Sequence, residues 1–124
     1  MSNSKSVLRE KSFAFAIKIV KFYRWLGEEK KEFVMSKQLL RSGTAVGALI
    51  REAQNAESKA DFIHKLGIAQ KECDETIYWL DLLFHSSYIG DDVYKTISGD
   101  AIEILKMLKS SILTVKSRYS KTKN

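Results

Sequence analysis

Apolar residues recur along this chain at three- and four-residue spacings, and the places where that rhythm stops divide it into four helices. The first is predicted over 7–28. At about 100° per residue, Phe13, Phe15, Ala16, Ile19, Val20, Phe22, Tyr23 and Leu26 cover about half of its circumference. An arc that wide implies burial against more than one neighbour. Lys11, Lys18, Lys21 and Arg24 take the opposite arc, and Gly27 before Glu28-Glu29-Lys30-Lys31 marks the expected helix end. The second helix is predicted over 35–54, with Leu39, Val46, Leu49, Ile50 and Ala53 inward and Lys37, Arg41, Thr44, Arg51 and Glu52 outward. After a short break at 55–58, Ser58-Lys59-Ala60-Asp61 resembles a capping box, with Asp where Glu or Gln is usual.

The third helix, 59–85, has the clearest stripe: Phe62, Leu66, Ala69, Cys73, Ile77, Leu80 and Phe84. Ser86-Ser87-Tyr88-Ile89-Gly90 separates it from a fourth helix over 91–119, with Asp91 as the expected N-cap. Tyr94, Ile97, Ala101, Leu105, Leu108, Ile112, Val115 and Tyr119 form its inward stripe, Gly99 is expected to weaken its first turns, and 120–124 to fray. Short breaks between long helices favour antiparallel neighbours, so the predicted fold is all-α, one antiparallel up-down four-helix bundle over 1–124. The absence of proline and the presence of only six glycines argue against a sheet protein of this size.

Two of those glycines sit in an unusual run, Ser42-Gly43-Thr44-Ala45-Val46-Gly47-Ala48, inside the second helix. Each costs about 1 kcal/mol relative to Ala. The cost is understandable if Gly43 and Gly47 admit another helix backbone closer than the usual interaxial distance of about 8–10 Å. A second pattern lies off the core: Ile68, Trp79 and Leu82 with Glu72 and Glu75 on the third helix, and Ile102 and Leu113 with Lys106, Lys109 and Lys116 on the fourth. One stripe is acidic-apolar and the other basic-apolar. Head-to-tail pairing of the two between subunits would close a homo-oligomeric ring. Pairing within one subunit is the alternative.

The net charge of +6 is unevenly placed: +5 over 1–31, −4 over 32–100 and +5 over 101–124. First and last helices are neighbours in an up-down bundle, so their basic faces are expected to merge into one positive surface suited to RNA or DNA. The candidates are Lys11, Lys18, Lys21 and Arg24; Lys37, Arg41 and Arg51; and Lys116, Arg118, Lys121 and Lys123. Such binding is electrostatic and weak in sequence preference. The alternative is a solvated face that keeps a protein-interaction scaffold soluble.

Other chemistry finds little support. Asp61 and His64 form a single carboxylate-x-x-His pair, whereas a di-iron bundle needs two pairs and two further carboxylates. Cys73 lies on the core stripe away from both histidines, which suits a small buried residue rather than a nucleophile. Glu72 and Glu75 are better read as solvated or interfacial than as an acid/base pair. The Gly43–Gly47 run lacks the order of a phosphate loop. No catalytic residue, metal or cofactor is expected, and the protein is read as not an enzyme. One cysteine fits a reducing cytoplasm. The opening MSNSKSVLREKS has no apolar run suited to a signal peptide, and no membrane span of about 18 apolar residues occurs.

The run Gln38-Leu39-Leu40-Arg41-Ser42-Gly43-Thr44-Ala45-Val46-Gly47-Ala48-Leu49-Ile50-Arg51-Glu52-Ala53 resembles the hallmark of the 23S rRNA intervening-sequence proteins, also labelled S23 ribosomal proteins. Residues 58–66 and 71–80 continue the likeness, as does Met107-Leu108-Lys109-Ser110-Ser111-Ile112. The resemblance implies a bacterial four-helix bundle that assembles as a homo-oligomeric ring, a pentamer. Some family genes lie within insertions in 23S rRNA genes. Related accessory proteins of diversity-generating retroelements bind nucleic acid and a reverse transcriptase, so a protein partner is also implied. The family offers no catalytic residues to carry over. Many members have Asn shortly after the small-residue run, where this chain has Leu49.

Overall fold

The computed structural model describes residues 4–123, with side chains over 7–118. Its four helices are α1 (Ser4–Lys30), α2 (Met35–Gln54), α3 (Lys59–His85) and α4 (Asp91–Lys123). The two central helices have the predicted bounds, and the two outer ones are longer. Gly27 does not end α1. It lies within the helix beneath Phe33, whose Cε1 would stand 3.2 Å from a Cβ added there. The helix ends instead at Lys30, followed by Lys31 at φ 55°, and the Glu32 N–H turns back to the Leu26 carbonyl at 3.0 Å. At the other end of the chain, α4 extends to Lys123.

α1 packs on α2 and α4, and α3 on the same two, while among the described residues neither diagonal pair approaches closely. Contacts run in opposite sense across each adjacent pair: Ser12 and Ile19 against Gly47 and Gly43, Lys65 and Glu75 against Glu52 and Arg41, Cys73 and Asp81 against Ala101 and Tyr94. Neighbours are therefore antiparallel. Leu8, Phe15, Ile19, Phe22 and Leu26 of α1 meet Leu39, Val46 and Ile50, Leu66, Leu80 and Leu83, and Ile104 and Leu108 in one core.

Several inward positions shift. Phe13 is 51% exposed and Ser12 is buried instead, because α1 has only two neighbours and its apolar arc is wider than they cover. Thr76 and Leu83 are buried on α3, and Ile77 and Phe84 only half so; Leu49 and Leu105 are half-buried too. The stripe on α3 is rotated toward α2 by the small side chains facing it, and the Ser42 and Thr76 hydroxyls meet there at 3.0 Å. The side chain of Tyr119 lies outside the described residues.

The starts of α2, α3 and α4 are satisfied locally. Ser58 accepts the Asp61 N–H at 3.0 Å, as the capping-box reading requires. Asp91 lies within the first turn of α4 rather than before it, with Asp92 beside it, and the Tyr94 N–H bonds to the Gly90 carbonyl at 3.1 Å. The start of α2 uses a buried carboxylate that the periodic pattern does not mark. Glu32 accepts the N–H groups of Val34, Met35 and Ser36 at 3.0, 3.1 and 2.7 Å. Burial pushes its carboxyl up, but these bonds and the Ser36 side chain outweigh it and hold the group below its ordinary value.

Candidate nucleic-acid interface

The predicted basic residues divide into tied and open groups. On the α1–α4 seam, Lys11 meets Glu103 at 2.5 Å and Lys18 meets Asp100 at 2.7 Å, over a 150 Å³ notch floored by Ala14, Phe15 and Ile104. Hydrogen bonding to Glu103, and then its charge, raises the Lys11 pKa. The two outer helices are neighbours as expected, but their basic faces do not merge, because Asp100 and Glu103 lie on the seam between them. Lys109 stands about 180° around α4 from Asp100, and Lys116 about 160°. Both are exposed, with Lys106, on the side away from α1.

Arg41 is tied as well. Its Nη1 lies 3.3 Å from Glu72 Oε1 and its Nη2 pairs with Glu75. A predicted nucleic-acid residue thus neutralises two predicted interface acids within the chain. Trp79 belongs to the same group: its indole N–H donates to Glu75 at 3.4 Å and its ring packs against the core rather than pointing outward. Ile68 and Leu82 are half-buried. The stripe on α3 therefore leans on α2, whereas Ile102 and Leu113 of α4 are 41% and 68% exposed. The two stripes do not meet within the chain.

The open group lies on the outer surfaces of α1 and α2, with Arg24, Lys37 and Arg51 on the α1/α2 face and Lys21 turned about 80° from Phe13 toward the α4 side. Lys21 and Arg24 of α1 and Lys37 of α2 are exposed and form no ion pair among the described residues. Arg51 sits 5.0 Å from the centroid of the Phe13 ring. Arg9, which the predicted set omits, shares a notch with Phe13, Arg51 and Glu10. Ile17, Phe33 and Val34 add exposed apolar surface. The overly wide apolar arc of α1 was the signal for this face. Arg118 lines a separate cleft with Gln54, Phe62 and Val115 at the α2–α3 turn, and the side chains of Lys121 and Lys123 lie outside the described residues.

Two further polar contacts join α3 to α4. Cys73 is fully buried, donates to the Ala101 carbonyl at 3.2 Å, and is pushed up to about 12, first by burial. His64 and His85 are exposed. The Tyr94 hydroxyl donates to Asp81 at 2.5 Å while its ring stacks on Phe84 at 4.2 Å, tying α4 to α3. No described helix is long and apolar enough to cross a membrane.

Residues 4–110 match the family described as 23S rRNA-intervening sequence protein. The chain belongs to that family. A crystal structure of a protein of unknown function from the S23 ribosomal protein family, from Bacteroides thetaiotaomicron, is similar with a TM-score of 0.88 at 54% identity. The likeness covers 89% of this chain and 98% of that one. No curated protein matches. Family membership agrees with the small-residue run on α2. Gly43 and Gly47 have a packing role there, since a Cβ at Gly43 would lie 3.0 Å from both Cγ1 and Cγ2 of Ile19, and one at Gly47 3.3 Å from the Ser12 carbonyl oxygen.

Proposed function

We propose that this protein is a non-enzymatic, cytoplasmic bundle that binds RNA or DNA electrostatically and works as a homo-oligomeric ring, a pentamer by family resemblance. One observation carries the nucleic-acid reading: Arg24, Lys37 and Arg51 stay exposed on one face, with Lys21 exposed on the adjoining side of α1, all without ion pairs among the described residues, while Lys11, Lys18 and Arg41 are neutralised elsewhere. Phosphates release counterions from such a surface, and a ring repeats it around the assembly, adding avidity. Ile102 and Leu113, exposed between Lys106 and Lys109, provide the subunit contact. The same two side chains favour a second reading, a protein-interaction scaffold without nucleic-acid affinity.

Retardation of RNA and DNA across a salt series separates these readings. The expected result is binding at low salt that weakens steeply as salt rises, and that is lost when Lys21, Arg24, Lys37 and Arg51 are together replaced by Glu. Absence of binding at low salt, or binding indifferent to those charges, supports the scaffold instead. Light scattering showing a monomer at micromolar concentration removes the ring.

A further inference from the structure

We propose that the α1/α2 face takes single-stranded rather than duplex nucleic acid, with Phe13 and Phe33 as platforms on which bases stack; this rests on the nucleic-acid reading above. Phe13 is 51% exposed and Phe33 62%, both on the face that holds the open cations. Neither ring is needed to fill the core. Phe13 forms one wall of a 280 Å³ notch whose floor is Ala16, Thr44, Gly47 and Ala48 and whose rim is Arg51. A floor of small side chains leaves a flat apolar slot beside an aromatic ring. The Arg51 guanidinium, already 5.0 Å from that ring, can hold a phosphate at the mouth of the slot. On the other side of Phe13 a second notch is lined by Arg9, Arg51 and Glu10, so two cations and one carboxylate flank the ring.

Phe33 lies against Gly27 at the other end of the same face. Residues 13 and 27 are about 21 Å apart along α1 at 1.5 Å per residue. Arg24 lies between them on α1, about 20° around the helix from Phe13, and Lys37 follows Phe33 by four residues at the start of α2. The face therefore offers ring, cations, ring in a line long enough for several nucleotides. A duplex keeps its bases stacked inside and presents only phosphates and groove edges to a flat helical face, so it makes no use of the rings. A single strand uses both elements: cations track its backbone and exposed rings stack its bases regardless of sequence.

Fluorescence anisotropy with a labelled homopyrimidine single strand and a duplex of equal length, at one low salt concentration, tests this. The single strand is expected to bind more tightly. Phe13→Leu is expected to weaken it about tenfold, the scale of one lost base–aromatic stack, and Phe13→Leu with Phe33→Leu further. Phe13→Trp restores binding, because a larger ring stacks where an aliphatic chain of similar apolarity does not. Both sites are surface positions, and circular dichroism confirms that the helices persist. Equal affinity for duplex and single strand overturns the proposal, as does a double Leu variant that binds like the parent. Binding that survives the Leu variants but falls with Arg51→Glu defeats only the stacking role and leaves the electrostatic reading standing. A Leu variant that dissociates the oligomer yet binds normally assigns the face to a second copy of the chain and also overturns it.

Discussion

α1 is held on its two sides by seams of different kinds. Against α2 the backbones close up: Gly43 faces Ile19 and Gly47 faces the Ser12 carbonyl, with no room for a methyl group in ordinary contact. Against α4 the approach is sparser and ends in Lys11–Glu103 and Lys18–Asp100 over a notch. The first seam is fixed by shape and tolerates little. The second is fixed partly by solvated charge, which water and salt can replace. This division suits a protein whose exposed cations border the rigid seam, because the Phe13–Arg51 notch is built across α1 and α2 and keeps its geometry only while that seam does.

The largest effect should come from filling the tight seam. Gly43→Leu places a branched side chain where Ile19, fully buried and stiff at χ1, already occupies the space. We expect a loss of about 3 kcal/mol or more, the upper end of overpacking costs. Urea unfolding measures it. Trimming the neighbour should return part of the loss, so Gly43→Leu with Ile19→Ala is expected to fall short of additivity. Strict additivity would mean that the two side chains do not share that space and that the seam is looser than its geometry states.

The loop that begins the same seam should rank second. Glu32 is buried and supplies the acceptor for three N–H groups at the start of α2. Glu32→Gln keeps an oxygen there but removes its charge, and about 1–2 kcal/mol should be lost. The pH dependence has a definite sign. The folded carboxyl is held below its ordinary value of 4.5, so the unfolded chain binds more protons through the acid range. The Glu32 contribution is full above 4.5 and disappears as pH falls through the lower folded value. Denaturation midpoints of parent and variant should therefore converge on acidification. A gap that persists below that range would sink the capping role.

Legibility from sequence followed the same division. The bounds of α2 and α3, the burial of Cys73 and the packing role of Gly43 and Gly47 were all readable, because they depend on local period, breakers and side-chain size. The rotation of one helix against its neighbour is not a local property. A wide apolar arc on α1 could not say that Phe13 would fall outside while Ser12 fell inside. Nor could periodicity show that Arg41 would reach Glu72 and Glu75, thirty-one and thirty-four residues away, and so join two groups that sequence assigned to separate surfaces. Glu32 was hidden for another reason: a carboxylate in a short loop between helices looks solvated until its backbone donors are in place.

The smallest effect should come from the charged seam. Lys18 and Asp100 approach to 2.7 Å, but their side chains keep 53% and 37% of their exposure. Lys18→Gln removes the pair while keeping most of the aliphatic stem, so the notch stays covered and the packing of Phe15 is undisturbed. The expected loss is below about 1 kcal/mol, because an exposed pair gains little beyond what water already gave each ion. It should shrink further as salt rises, since the Debye length falls from about 10 Å at 0.1 M to about 3 Å at 1 M. Urea melts of parent and variant at both ionic strengths measure the difference. A loss as large as that from Gly43→Leu, or one that salt leaves intact, would mean that α4 is held to α1 by buried polar packing, and the contrast between the seams would vanish. A small, salt-sensitive loss places the easier opening of the bundle on the α1–α4 side, away from the face that holds Phe13 and Arg51.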